Sequence, residues 1–172
     1  MNWDELRYGR LLPAAAAHLR FGDAYARLVA AVEARRDPAR VAAAEGRIRA
    51  WLDRSPADAR ATFRGCLRSE AREEADAAFY MRRPPAALTA AFSPATLVAS
   101  ADVPVLYVGL HLGSPVLGYL HLVTGPVPGL ALIARGLDPA NPLPPAKRRF
   151  AVDKVAWTEA TAGRPFFAAD GA

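Results

Sequence analysis

The residue with the most chemical promise is His111. It follows the uncharged, β-branched run Val103-Pro104-Val105-Leu106-Tyr107-Val108-Gly109-Leu110 and leads into Leu112-Gly113-Ser114-Pro115. An imidazole titrates near neutral pH, so a histidine at the mouth of a cleft suits removal of a proton from an alcohol. Gly113 has no side chain and lets a substrate or a helix approach closely. The same residues also fit a plainer role, a histidine bonding a backbone carbonyl at a helix start. Two more polar residues, Arg135 and Asp170, close later apolar runs. Ser114 precedes proline and lacks the Gly-x-Ser-x-Gly setting of a nucleophile. His18 and Asp23 repeat a His-x4-acid spacing, but within an alanine-rich helical segment where chance explains it.

The elements around these residues fall into two regions. Residues 1–83 are rich in Ala, Arg and Glu and read as helical. A helix is expected from about Tyr25 to Arg35, with Leu28, Val29 and Val32 on its apolar face. Asp37-Pro38 and Ser55-Pro56 are helix starts, each a capping side chain followed by proline at the first helical position. Val41, Ala44, Ile48, Trp51 and Leu52 then follow helical spacing. Phe63, Leu67, Ala71, Ala75 and Ala78 form one stripe, with Arg60, Arg64, Glu70, Glu73 and Glu74 facing water. Cys66 borders that stripe and is expected as a small core residue. Pro84-Pro85 ends the region.

Residues 84–172 have a different rhythm, with Asp102 the one charge between Pro84 and Ala134. Val103–Leu110 reads as a strand buried on both faces. Ser114-Pro115 opens a helix, Leu130–Ala134 is a second strand, Lys147–Ala162 a third-region helix ended by Gly163, and Pro165–Ala169 a third strand. The expected fold class is therefore α/β, a helical N-terminal region followed by a βαβαβ parallel-sheet unit within a single domain. Ligands of such sheets bind beyond the strands' carboxyl ends, where His111, Arg135 and Asp170 would stand.

The segment Val105 to Pro115 resembles the strand and His-Leu-Gly-Asn-Trp-Glu block of the lauroyl/myristoyl acyltransferases of lipid A synthesis, in the lysophospholipid acyltransferase superfamily. Ser55–Met81 resembles the family helix after its Pro-Glu start. Ala131–Arg135 with Asn141-Pro142 resembles the Tyr-Arg and Asn-Pro stretch, and Gly163–Asp170 resembles the strand ending in Asp-Gln or Asp-Gly. The resemblance covers about residues 55–172. It implies transfer of a fatty acyl group from acyl carrier protein or coenzyme A to a hydroxyl of a lipid or glycolipid. His111 would be the general base and Arg135 would bind a polar acceptor head, with Gly113 and Ser114 lining the substrate. It implies no bound cofactor or metal, and a cytoplasmic protein peripheral at the inner membrane. The sequence departs from the pattern at Val116, where the family carries the carboxylate that orients the histidine. Asp170, or Asp138, would have to replace it. The alternative is a catalytically degenerate lipid-binding or accessory domain. The chain also stops at Asp170-Gly171-Ala172 where the family continues, which suggests a shortened chain or one completed by a partner.

Composition bounds the remaining choices. The chain has 172 residues, is 52% hydrophobic and 23% charged, and so carries enough apolar material for a core. One cysteine excludes a disulfide framework and a multi-cysteine zinc site. Among its bases are 20 Arg and 2 Lys, beside 39 Ala, a compositional bias that makes the net charge of +5 weak evidence for nucleic acid. The glycines lack P-loop or dinucleotide spacing. The N-terminus has acids early and no apolar core of a secretory signal. Val103–Thr124 is uncharged and long enough to cross a bilayer, but two histidines and two prolines oppose that. Lys147-Arg148-Arg149 could touch anionic lipid headgroups.

Overall fold

The computed structural model describes residues 1–91, 115–124, 133–134, 143–165 and 167–168. The chain enters through α1 (Trp3–Leu6), capped when Asn2 Oδ1 accepts the Glu5 amide at 2.9 Å and Glu5 returns a bond to the Asn2 amide. This reciprocal cap satisfies two orphan donors at once. A π-helical stretch, Arg7–Leu11, joins α1 to α2 (Leu12–Ala15). It turns the adjacent Arg7 and Tyr8 both inward, where both are buried. A 3₁₀ turn, Leu19–Phe21, leads into α3 (Gly22–Arg36).

Asp37 starts α4 (Pro38–Leu52), accepting the Arg40 amide at 2.9 Å. At its end Asp53 takes the left-handed conformation, φ 47° and ψ 50°, tolerated better by Asp than by most side chains. Ser55 caps α5 (Pro56–Tyr80), its Oγ accepting the Asp58 amide at 3.2 Å. Ser55→Ala should lower the unfolding free energy by about 1 kcal/mol, seen as a drop in the urea midpoint at unchanged slope. The short α6 (Pro85–Ala91) follows, then α7 (Pro115–Val123), β1 (Ile133–Ala134), α8 (Pro145–Ala162) and β2 (Phe167–Ala168). Gly163 ends α8 at φ 67°, a left-handed position that suits glycine.

α3 and α5 pack along their lengths, and α4 folds back on α5. One apolar core joins Leu12, Tyr25 and Val29 to Ala71, Ala75 and Ala78, with Trp3 and Phe150 at its edge. Alanine on the facing surfaces lets the helix backbones approach closely, and burial of their area supplies the driving force. A second cluster unites Leu88 of α6 with Tyr119, Leu120 and Val123 of α7, flanked by Tyr80, Val116 and Trp157.

The expected α/β fold with a βαβαβ parallel-sheet unit of acyltransferase type is corrected: this is a helical protein. Among the described residues, strand pairing is confined to two residues on each side, Ile133 with Phe167 and Ala134 with Ala168, in parallel. So short a ladder organises no layer. Of the expected strands Leu130–Ala134 and Pro165–Ala169, the described parts Ile133–Ala134 and Phe167–Ala168 are extended, and short apolar runs carry no period that fixes how long a strand is. The expected strand at Val103–Leu110 lies outside the described residues.

Burial corrects five side chains. Leu28, Trp51, Leu52 and Cys66 are exposed. Glu74, expected to face water, is buried at 6%. Among the described residues no helix is long and apolar enough to cross a membrane.

Candidate functional site

All five residues singled out for chemistry, His111, Gly113, Ser114, Arg135 and Asp170, lie outside the described residues, as does Asp138. Their nearest described neighbours bear on them. α7 begins at Pro115, directly after the His-Leu-Gly-Ser run. Val116, on its first turn, packs against the apolar cluster of Leu88 and Leu120. Nothing at that position accepts a proton. The ladder ends at Ala134 and Ala168, one and two residues ahead of Arg135 and Asp170 in the chain.

Within the described residues, the densest polar chemistry is a largely buried network in the helical core. Arg7 Nη2 donates to Glu74 Oε2 at 2.7 Å, Tyr8 OH donates to Glu74 Oε1 at 2.8 Å, and Tyr25 OH donates to Glu74 Oε2 at 3.2 Å. Arg7 Nε donates to the Tyr25 hydroxyl at 3.3 Å, and Nη1 to Glu33 Oε1 at 3.0 Å. Trp3 Nε1 donates to that same Glu33 oxygen at 2.7 Å. Three elements, the N-terminal segment, α3 and α5, are thus tied through one carboxylate. A buried charge is tolerable only when paired and hydrogen-bonded, and Glu74 is both.

The electrostatics follow from burial. Desolvation works against the Arg7 cation, but Glu74 and the two phenols outweigh it and raise its pKa. Burial, then the Glu74 charge, pushes both Tyr8 and Tyr25 well above the ordinary tyrosine value. The sign of the linkage is fixed: above the ordinary value the unfolded chain releases phenolic protons that the folded chain keeps. Stability therefore falls as pH rises past about 10, by roughly 1.4 kcal/mol per pH unit for each tyrosine. Tyrosinate absorbance from two of the five tyrosines should appear together with loss of helical circular dichroism, not before it. Titration of all five ahead of unfolding would place water in the network.

This network is a strut, not a reaction centre, because its polar groups are already partnered by one another. The room for a ligand lies beside it. A cleft of about 530 Å³ has Tyr8, Leu12, Met81 and Phe150 on its apolar floor, with Arg82, Arg149, Glu5 and Asp153 at its rim. The size and the mix of apolar wall with few charges suit an amphiphile. Among the described residues that line it there is no His, Ser or Cys. Of the basic cluster at 147–149, Lys147 faces Glu70 at 3.6 Å and Arg149 stands on the cleft rim. No group of His, Cys, Asp and Glu among the described residues could hold a metal ion.

Sequence reasoning missed the network because, although residues 1–83 read as helical, it placed no individual helix or apolar face before Tyr25. The signal was present: Trp3, Arg7, Tyr8, Leu11, Leu12 and Ala15 recur at helical spacing. The chain matches no family model, no curated protein and no solved structure.

Proposed function

We propose that the chain transfers an acyl group from a carrier-protein or coenzyme A thioester to a lipid hydroxyl. His111 takes the hydroxyl proton as the oxygen attacks the thioester carbonyl, and the thiol leaves. Arg135 holds the acceptor's polar head, Gly113 and Ser114 line its approach, and Asp170 is the carboxylate that orients the imidazole. The observation that carries this reading is the run Val105–Pro115, with its histidine four residues ahead of a helix start at Pro115. The amphiphile-sized cleft at Tyr8 and Phe150 supports a lipid substrate class. The reaction takes place at a bilayer surface, where acceptor lipids reside.

One observation favours a second reading, lipid binding without turnover. Val116 occupies the place of the family carboxylate and is part of an apolar cluster. The deciding measurement is thiol release by the purified chain, with acyl-coenzyme A and acyl carrier protein as donors and a lysolipid as acceptor. Release that needs His111 supports acyl transfer. Lipid binding without release supports the second reading.

A further inference from the structure

α4 and the first half of α5 form a hairpin that stands largely in solvent. From residue 36 to residue 66 the buried side chains are Ala44 and Ala59. Arg60 Nε and Glu45 Oε1, 3.1 Å apart, fix the antiparallel register of the two helices. Six residues further on, Trp51 comes opposite the turn itself, where α5 offers no surface to cover it. Trp51 is 81% exposed and Leu52 58%. Two large apolar side chains thus sit side by side at the tip, with no facing element among the described residues.

The charge around them is one-sided. Between Arg35 and Arg68 the sequence holds nine arginines and four carboxylates, a net charge of +5, as large as that of the whole chain. Arg47 lies one turn before Trp51 and Arg54 follows it in the turn. Both are exposed, and neither forms an ion pair among the described residues. Of the four acids, Glu45 is held by Arg60, Asp58 by Ser55 and Asp37 by its cap, leaving Asp53 in the turn.

We infer that this hairpin tip docks on an anionic lipid bilayer, with Trp51 and Leu52 entering the headgroup region and the arginines meeting lipid phosphates. Tryptophan, with a broad apolar ring and one N–H donor, is favoured at that boundary over both water and hydrocarbon. Arginine forks pair two N–H donors with one phosphate. The shallow insertion of a short apolar tip with a basic surround needs both contributions, so attachment is reversible and sensitive to salt. The inference stands on the hairpin alone and does not depend on acyl transfer.

The test is flotation of the full chain with vesicles of phosphatidylcholine alone and with about one-third phosphatidylglycerol. The expected result is binding to the anionic vesicles only, weakening as salt rises. Trp51→Ala should lower the partition coefficient about tenfold, and Arg47→Gln and Arg54→Gln about fivefold each. All three positions are exposed, so circular dichroism should show each variant folded. Trp51→Phe should keep part of the binding. Three results would overturn the inference: no binding to anionic vesicles; binding that survives Trp51→Ala undiminished; or binding of single-stranded nucleic acid in place of vesicles. Self-association abolished by Trp51→Ala, with no vesicle binding, would assign the tip to a second copy of the chain. Thiol release is a separate readout, so a chain that docks but does not turn over leaves this inference standing.

Discussion

Glu74→Ala is expected to remove about 3–5 kcal/mol of unfolding free energy, a large share of the roughly 5–15 kcal/mol that a domain ordinarily has. The reason is the company the carboxylate keeps. Its loss leaves the Arg7 guanidinium, 5% exposed, with Glu33 alone as anionic partner. The Tyr8 and Tyr25 hydroxyls lose their acceptor in the same step. Buried donors without partners carry the full penalty of desolvation. Glu74→Gln keeps an acceptor for the phenols but withdraws the charge, so its loss should be smaller. Arg7→Met combined with Glu74→Leu should recover part of the single-variant loss, because it removes the uncompensated cation while the Tyr8 and Tyr25 hydroxyls still lack their Glu74 acceptor. Urea unfolding of the wild type, Arg7→Met, Glu74→Leu and the double variant gives the coupling directly. A Glu74→Ala loss below about 1 kcal/mol, the range of exposed pairs, would mean that water reaches Arg7.

His111→Ala carries the other large expectation. If the imidazole is the general base, thiol release should fall by about 10²–10⁴-fold. Val116→Glu is its counterpart. A carboxylate in the first turn of α7 gains from the helix dipole, by about 0.3–1 kcal/mol, but loses the apolar contacts Val116 makes beside Leu88 and Leu120. Val116 is half-buried, so a longer side chain has a route to solvent. If the wild-type rate is held down by the missing partner, Val116→Glu should raise it, by up to the roughly 10⁴-fold that a triad carboxylate supplies. The gain must vanish in the double variant with His111→Ala. Thiol release that is unchanged by His111→Ala defeats the assignment.

Local rules carried the helical half of the chain well. Asp37-Pro38 and Ser55-Pro56 begin helices because a short polar side chain and a fixed φ act within four residues, and α4 and α5 start there. Gly163 ends α8 for an equally local reason. What failed was non-local. Glu74 looks solvent-facing on α5 until residues 66 and 67 positions earlier, Tyr8 and Arg7, fold over it. Trp51 and Leu52 follow the apolar spacing of α4, but spacing says nothing about whether a partner surface exists at that end of the hairpin. The parallel sheet was over-extended: among the described residues its pairing is limited to Ile133–Ala134 with Phe167–Ala168, and a short apolar run carries no period that says how far a strand extends. As for the proposed site, its residue types were legible in the sequence, while its arrangement depends on segments beyond the described residues.

The clamp on Glu74 also sets an order of events during synthesis. Arg7 leaves the ribosome 67 residues before its partner, an interval of several seconds at about 5–20 residues per second. Over that interval Tyr25 and Glu33 are the partners at hand, and Arg7 still lacks the carboxylate beside which it is buried. The amino-terminal segment is made first but gains its Glu74 contacts only when α5 is complete, so a nascent chain halted before α5 should leave that segment more open to protease than one released beyond it.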